Sequence, residues 1–307
     1  MSYVITLSLI ALSLKLLTLL IYKKEFLTLN KYLLSIILGI TGMNSIEMFF
    51  YSYINQPENG LVVLIFFYLF VLVFVYSSLL YALNISNHEN TTSVFFSVFG
   101  FITCCVVLLT PGAAISGIES IGYSITRIPG PYYHILQIGI LIPLLSCIVI
   151  AFLTLVTSRK HQLHTQALAY LITFTPTFFI GSAIIFLMHI GVKVNASVVI
   201  SFSTSFLLWL LLFTQKKESM YRLMSLIPGT RANKLYRQLA YHICNPQNGM
   251  NDPIHYLEIE IIHEALQMTN GNRAEAAELL GISKPTLQRR LKDQLEKEPE
   301  KELTIKY

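Results

Sequence analysis

Seven long apolar segments constrain the fold of this chain more than any other feature of its sequence. Each is close to the length of about 20 residues that an α-helix needs to cross roughly 30 Å of hydrocarbon. Backbone polar groups cannot stay unpaired in lipid, and the segments lack the alternation of barrel strands, so each is predicted to be a helix. The segments are approximately Tyr3–Tyr22, Lys31–Ile54, Leu61–Leu83, Ser93–Thr110, His134–Val156, Ala167–Ile190 and Val194–Thr214.

The charged residues divide the chain into two parts of different character. Of its 39 Asp, Glu, Lys and Arg residues, 26 lie between Gln215 and Tyr307. Only 13% of the whole chain is charged, against about 25% in an ordinary soluble protein. We therefore predict an all-α protein: a seven-transmembrane helix bundle, a linker, a small cytoplasmic helical domain and a charged, disordered tail. Their residues are 1–214, 215–230, 231–295 and 296–307, respectively.

The lysine and arginine residues of the short loops predict how the bundle is oriented. Cytoplasmic loops carry an excess of these residues. With the N-terminus outside, eight of them fall on the cytoplasmic side and two fall outside. We therefore expect a multi-pass protein of the bacterial inner membrane, embedded in the lipid bilayer, with its C-terminal domain in the cytoplasm. The eight are Lys23, Lys24, Lys31, Arg159, Lys160, Lys216, Lys217 and Arg222, and the two are Arg127 and Lys193.

Polar side chains inside the apolar segments are costly and are candidates for function. Lys15 lies close enough to the cytoplasmic end of its segment for its ammonium group to extend to the interface. Three polar residues of the second segment share one helix face, and two more lie in or next to the longest outer loop, Pro111–Tyr133. An outward-facing ligand pocket is one interpretation, and a hydrogen-bond network between helices is the other. The candidate pocket residues are Asn44, Glu47, Tyr51, Arg127 and His134.

The charge-rich part is predicted to consist of helices separated by turn-forming residues. Pro228-Gly229 ends a basic amphipathic stretch, and helices are predicted over residues 231–243 and 254–269. The loop between them is rich in Asn, Pro and Gly. The second helix carries apolar residues at helical spacing, namely Leu257, Ile261, Ile262, Ala265, Leu266 and Met268.

Residues 270–291 contain the signals of two short helices joined by a tight turn. Gly271 can end the preceding helix with a positive φ, and Asn272 can cap the next helix. Gly281 supplies the sharp turn, and Ser283 caps the second helix, whose leucines face inward. This is the helix-turn-helix arrangement, in which the second helix enters the major groove of DNA.

Polar and basic side chains of this second helix are candidates for contacts with DNA. Contacts with base edges and nearby phosphates suit Lys284, Thr286, Gln288 and Arg289, whereas contacts with phosphates alone suit Arg290 and Lys292. A solvated basic face on an ordinary helical hairpin is the alternative interpretation, but the turn, cap and leucine positions in register argue against it. The candidate residues are Lys284, Thr286, Gln288, Arg289, Arg290 and Lys292.

The segment resembles the Fis-type helix-turn-helix, shared by the Fis nucleoid protein and the C-termini of nitrogen-regulatory enhancer-binding activators. The resemblance implies that Asn272, Thr286 and Lys284 occupy DNA-contacting positions. Lys284 stands where that family often has arginine, which removes a bidentate contact and leaves the base preference open. The matching residues are Gly271-Asn272, Ala276-Ala277, Leu280-Gly281-Ile282 and Thr286-Leu287.

The same resemblance extends upstream through Leu257-Glu258 and the Asn248-Gly249 turn. In that family the two upstream helices form a dimer. The resemblance therefore implies a homodimer through the helices at residues 231–243 and 254–269, with two recognition helices about one DNA turn, roughly 34 Å, apart.

The membrane part resembles the seven-helix N-terminal sensor region found on some bacterial histidine kinases. This resemblance covers residues 1–214 and implies a sensory role. It rests on the number of helices and on an outer stretch that runs from Gly122-Tyr123 to Arg127-Ile128-Pro129-Gly130-Pro131-Tyr132-Tyr133.

Together these features predict a membrane-bound one-component transcriptional regulator. It would sense a signal ligand of unidentified chemistry through the bundle and bind double-stranded DNA with its C-terminal domain. No enzymatic activity, metal or cofactor is expected, because the sequence has neither a Walker A motif nor Cys/His metal spacing. A receptor or transporter whose helical tail binds a protein partner, and a passive tether between DNA and membrane, are the alternatives.

Overall fold

The computed structural model describes residues 2–301 except for residues 28, 56, 121–123, 158–160, 191–196, 216, 245–250 and 270. The chain divides into two compact units, Met1–Met220 and Tyr221–Tyr307. This division lies close to the boundary predicted from the charge distribution. Of the cations that predicted the orientation, Arg159, Lys160, Lys193 and Lys216 lie outside the described residues.

Helices dominate the first unit, and one pair of β-strands interrupts them. The helices are α1 (Ser2–Ile21), α2 (Lys23–Leu27), α3 (Lys31–Phe50), α4 (Leu61–Ile85), α5 (Thr91–Leu109), α6 (Tyr133–Thr157), α7 (His161–His189) and α8 (Ser197–Gln215). The strands are β1 (Ile115–Ser120) and β2 (Ile125–Pro129), and two short 3-10 turns, Tyr51–Tyr53 and Pro57–Gly60, precede α4.

Five helical segments among the described residues are long and apolar enough to cross a membrane. A bent pair, Val199–Thr214 with Ser219–Leu226, makes a sixth if it is counted as one span, and Thr6–Ile21 is apolar but shorter. Of the seven predicted spans, the structure therefore supports five, or six if the bent pair is counted as one span. The five segments are Lys31–Tyr53, Leu61–Ile85, Thr91–Leu109, Tyr133–Thr157 and Leu163–Ile184.

Helix α4 lies at the centre of this unit, packed against α3, α5, α6 and α7, while α1 packs against α3 and α8. Close approach of α3 to α4 depends on Gly39, where an added Cβ would lie 2.9 Å from the Phe74 backbone nitrogen. Small residues at helix interfaces allow backbones in membrane bundles to approach in this way. The core around them includes Leu33, Ile36, Ile40, Leu72, Leu136, Phe174 and Leu207.

The loop before α6 departs from the all-α prediction. Strands β1 and β2 pair antiparallel, with Ile118 opposite Arg127. The β-branched residues in the run Ile125-Thr126-Arg127-Ile128 favour a strand, and Ile125 is buried in the core. The fold is therefore mostly helical rather than all-α. The Gly122-Tyr123 pair, part of the sensor resemblance, lies outside the described residues.

The remaining helices are α9 (Lys217–Leu226), α10 (Arg231–Cys244), α11 (Asn251–Met268), α12 (Arg273–Leu279) and α13 (Lys284–Lys301). Helices α10 and α11 confirm the two predicted upstream helices, whereas the Asn248-Gly249 turn lies outside the described residues. The prediction of disorder from Glu296 onward is wrong as far as Lys301, where α13 ends. Most residues in this last part of the helix are Glu and Lys, which are good helix formers. Residues 302–307 lie outside the described part of the chain.

Candidate functional site

The first helix of the predicted helix-turn-helix begins as its local sequence requires. Gly271 has φ of +85°, a value that glycine adopts without strain, and its N–H donates to the Leu266 carbonyl, 2.7 Å away. The Oδ1 atom of Asn272 accepts from the Ala274 N–H at 3.1 Å and so caps α12. Gly271 thus follows the end of α11 at Met268 and Asn272 directly precedes α12, as the sequence predicted.

The turn between the two helices is held by short-range hydrogen bonds. Gly281 has φ of +65°, and the next residue, Ile282, donates its N–H to the Ala277 carbonyl at 3.0 Å. The Ser283 hydroxyl accepts from the Thr286 N–H at 3.3 Å, which confirms the predicted cap of α13. These bonds determine the direction in which α13 leaves the turn.

A small apolar core holds α12 and α13 against α11. Ala276 and Ala277 are buried together with Ile262, Ala265 and Leu287. Alanine side chains allow the helices to approach closely, while Leu287 and the partly buried Leu291 define the inward face of α13. The opposite face of α13 therefore remains exposed.

The candidate DNA contacts lie mainly on this exposed face. Arg289 falls midway between Leu287 and Leu291 in sequence, which places it on the opposite side of the helix. Thr286 is half-buried, and its hydroxyl lies 2.8 Å from that of Ser283. The exposed candidates in the helix-turn-helix are Asn272, Lys284, Gln288, Arg289 and Lys292.

Arg290 differs from its neighbour because it has a partner within the same unit. Its Nη1 atom lies 2.9 Å from Oε1 of Glu258, so the ion pair joins α13 to α11. The sequence predicts Arg290 as a phosphate contact and gives no sign of its pairing with Glu258. The two residues are 32 positions apart, too far for a helical spacing rule to pair them.

Two of the predicted pocket residues, Asn44 and Glu47, lie buried in one polar network inside the first unit. Lys15 donates from Nζ to Oδ1 of Asn44 at 2.5 Å and to the Ser201 carbonyl at 3.0 Å. The Ser201 hydroxyl in turn donates to Glu47. The Lys15 side chain is 0% exposed, so the expectation that its ammonium extends to the interface is wrong.

Arg127 is positioned by an aromatic side chain of α6. Its guanidinium carbon lies 4.5 Å from the centroid of the Tyr133 ring, an arrangement that stabilises a cation electrostatically. The Tyr133 hydroxyl lies 3.4 Å from that of Tyr68 on α4. Of the other two predicted pocket residues, Tyr51 is buried in the turn after α3 and His134 is exposed near the start of α6. Lys15 and Ser201 together thus link Asn44 to Glu47, whereas the contact of Arg127 links β2 to α6.

Comparison with known proteins identifies only the C-terminal segment. A search of curated proteins finds no match to this chain, and a search of solved structures also finds none. The match that exists covers residues 256–293, which include most of α11, all of α12 and the first turns of α13. These residues match the family model described as bacterial regulatory protein, Fis family, so this segment is a Fis-type helix-turn-helix, a DNA-binding regulatory fold that is generally non-enzymatic.

Proposed function

We propose that this protein is a membrane-bound one-component transcriptional regulator that senses through its helix bundle and binds double-stranded DNA with its C-terminal domain. The observation that carries this proposal is the presence, in one chain, of several apolar spans and a Fis-type helix-turn-helix. A regulator of this kind needs no enzymatic step, because a change in the bundle could alter DNA binding directly.

In this proposal α13 enters the major groove with its exposed face toward the bases. Lys284, Gln288 and Arg289 would reach base edges or nearby phosphates, and Lys292 would contact phosphate. Asn272 and Thr286 would contact DNA near the two helix starts, as the resemblance implies. Arg290 contributes mainly by holding α13 against α11 through its ion pair with Glu258, which revises its predicted role as a phosphate contact.

The apolar surface of the first unit supports its placement in a bilayer. Large apolar side chains on α5 are more than half exposed, including Phe95, Phe96, Phe99 and Ile102. A contiguous apolar surface of this kind is unusual on a soluble protein, and lipid would cover it. We propose seven spans in the bacterial inner membrane, with the N-terminus outside and the C-terminal domain in the cytoplasm.

An apolar stripe on α11 that stays exposed among the described residues supports a homodimer. Ile254, Leu257, Ile261 and Met268 are between 40% and 55% exposed and recur at spacings that bring them to one side of a helix. In a two-fold dimer formed through α10 and α11, this stripe would be covered and the two α13 helices would reach neighbouring turns of the major groove.

The dimer is tested by placing a charge in the stripe. Ile261→Asp should convert the full-length protein in detergent from dimer to monomer, as measured by light scattering, because a carboxylate would be desolvated in the interface. Leu279→Asp is the control, since Leu279 is also exposed but lies on α12. Unchanged mass for Ile261→Asp would refute this interface.

The regulator proposal is tested by mapping genome-wide DNA occupancy of the full-length protein. We expect discrete occupied sites that Arg289→Ala removes, because this side chain faces away from the core of the helix-turn-helix. If the full-length protein shows no salt-sensitive DNA binding, the result would favour the alternative in which the helical tail binds a protein partner. Occupancy that stays constant under every stimulus applied would favour a passive tether.

A further inference from the structure

We propose that Lys15, Asn44, Glu47 and Ser201, here named the Lys15 cluster, form a proton-responsive switch that controls the position of α8. Protons would thus be one signal that the bundle detects. The effect on transcription rests on the proposed function, whereas protonation of the cluster does not.

The cluster joins three helices inside the first unit. The ammonium group of Lys15 on α1 is bonded to Asn44 on α3 and to the backbone of Ser201 on α8. Ser201 also donates its hydroxyl to Glu47 on α3. All four side chains are at most 3% exposed, so each hydrogen bond replaces one that water would otherwise supply.

Two further contacts attach the neighbouring helices to the same place. The Asn44 amide nitrogen lies 3.2 Å from the Ser8 carbonyl on α1. The Ser205 hydroxyl donates to the Ala11 carbonyl at 3.0 Å. Polar groups on and near the buried ammonium therefore help to hold α8 to α1 and α3, alongside buried apolar side chains of α8 such as Leu207 and Leu208.

Charge balance within the cluster depends on two residues. Apart from Lys31 at the first position of α3, Lys15 and Glu47 are the only charged side chains in α1, α3 and α8, and both are hydrogen-bonded to Ser201. Helix α8 contains no titratable side chain. Other titratable residues in the elements packed against these helices are Lys23, Lys24 and Glu25 of α2, Tyr51 and Tyr53 after α3, Tyr68, Tyr76 and Tyr81 of α4, and His161, His164, Tyr170 and His189 of α7.

Protonation of Glu47 would remove this balance. One proton from solvent binds a carboxylate oxygen, and the cluster changes from neutral to a net charge of +1. The ammonium group would then rely on the neutral oxygens of Asn44 and Ser201. A buried uncompensated charge is unfavourable, so the bundle would open between α1 and α8 to admit water. Helix α8 is the last helix before the C-terminal unit in sequence, which makes its displacement a route to regulation.

The chain contains a single tryptophan, Trp209, and it lies on α8. Its ring stacks on Phe213 with centroids 5.4 Å apart and is 41% exposed. Emission from Trp209, and its quenching by brominated phosphatidylcholine, therefore report the surroundings of α8 in the full-length protein without any involvement of DNA.

The experiment titrates the full-length protein in phosphatidylcholine vesicles from about pH 9 to about pH 4, a range that includes ordinary carboxyl and histidine pKa values. We expect one reversible change in Trp209 emission for the natural sequence. Glu47→Gln should lose the transition of the carboxylate, and any change that it retains belongs to Lys15 and should be absent from a variant that lacks both charges. Glu275→Gln, which alters an exposed carboxylate on α12, should behave like the natural sequence.

Further variants keep the test decisive if Glu47→Gln does not fold. The Lys15→Met/Glu47→Gln double variant removes both charges and should show no transition. Ser201→Ala keeps both charges but removes a hydrogen bond to the carboxylate, so protonation should occur at higher pH. Three results would overturn the proposal: no transition in the natural sequence, a full transition in the Lys15→Met/Glu47→Gln double variant, or an unchanged midpoint in Ser201→Ala. A transition in a protein that never occupies DNA would overturn only the regulator proposal.

Discussion

Arg289 and Arg290 are adjacent in sequence, but α13 gives them different environments. Arg289 is exposed on the side of the helix opposite Leu287 and Leu291, whereas Arg290 is half-buried and paired with Glu258. The basic run on α13 therefore contains residues in different structural environments. The position of each residue relative to the buried leucines separates them.

Arg289→Ala should weaken binding of the full-length protein in nanodiscs to a mixed-sequence DNA duplex by about 1–3 kcal/mol and lower the salt slope by about 1. Arg290→Ala should lower the free energy of unfolding by only about 0.2–1 kcal/mol, because its ion pair is partly exposed. Fluorescence anisotropy at several salt concentrations and hydrogen exchange of α13 measure the two effects. The distinction between the two arginines would be contradicted if both variants lost the same DNA affinity and neither lost protection of α13 from hydrogen exchange.

Ser283→Ala should destabilise the start of α13 by about 1 kcal/mol, because the Thr286 N–H loses its acceptor. Ser283→Asp is the matched control, since a carboxylate oxygen can accept the same hydrogen bond. Hydrogen exchange of the first-turn amides in the full chain measures the difference. Equal protection in the two variants would show that the hydroxyl does not cap the helix.

The helix-turn-helix could be predicted from the sequence because its determinants are local. Gly271, Asn272, Gly281 and Ser283 each act on groups no more than five residues away. The ion pair between Arg290 and Glu258 was missed because it depends on how α13 packs against α11. A residue type alone could not distinguish this arginine from one that faces solvent.

At the scale of elements, the packing of α3 against α4 depends on a position without a side chain. Gly39→Ala would place a methyl group 2.9 Å from both the nitrogen and the Cβ of Phe74. Because backbone is involved, the helices must separate, and we expect a loss of about 1–3 kcal/mol, the usual range for overpacking.

Thermal unfolding of the protein in detergent, followed by circular dichroism, tests the Gly39 prediction. Gly181→Ala on α7 is the control, because among the described residues no heavy atom beyond its chain neighbours and the nearby backbone of its own helix lies within 4 Å of the added methyl group, and alanine is the better helix former. A midpoint for Gly39→Ala equal to that of Gly181→Ala would show that α3 and α4 can separate without cost.

Two features of the first unit could not be predicted from periodicity. The β1–β2 hairpin lies in a segment whose sequence predicts a loop, although Ile125-Thr126-Arg127-Ile128 is a short β-branched run. The distance of Lys15 from the end of its apolar segment predicts an interfacial ammonium group, but this distance contains no information about its partners. One of its acceptors belongs to Ser201, 186 residues away, and such a contact follows only from the tertiary structure.

At the scale of the whole molecule, the proposed topology places the C-terminal unit on the cytoplasmic side. Cys244 is the exposed member of four free cysteines. A membrane-impermeant maleimide should therefore label it in permeabilised cells but not in intact spheroplasts. Ser116→Cys, made in a Cys244→Ser background, should be labelled in intact spheroplasts, because Ser116 is exposed on the hairpin. Labelling of Cys244 in intact spheroplasts would reverse the orientation.

The burial of Lys15 also has a consequence for biosynthesis. Helix α1 carries an ammonium group, one of whose acceptors, the Ser201 carbonyl, belongs to α8 and is synthesised 186 residues later. Until α8 has been made this acceptor is missing, so the polar packing of α1 is completed only after the rest of the first unit has been synthesised. A chain truncated before α8 would leave the ammonium group without this acceptor.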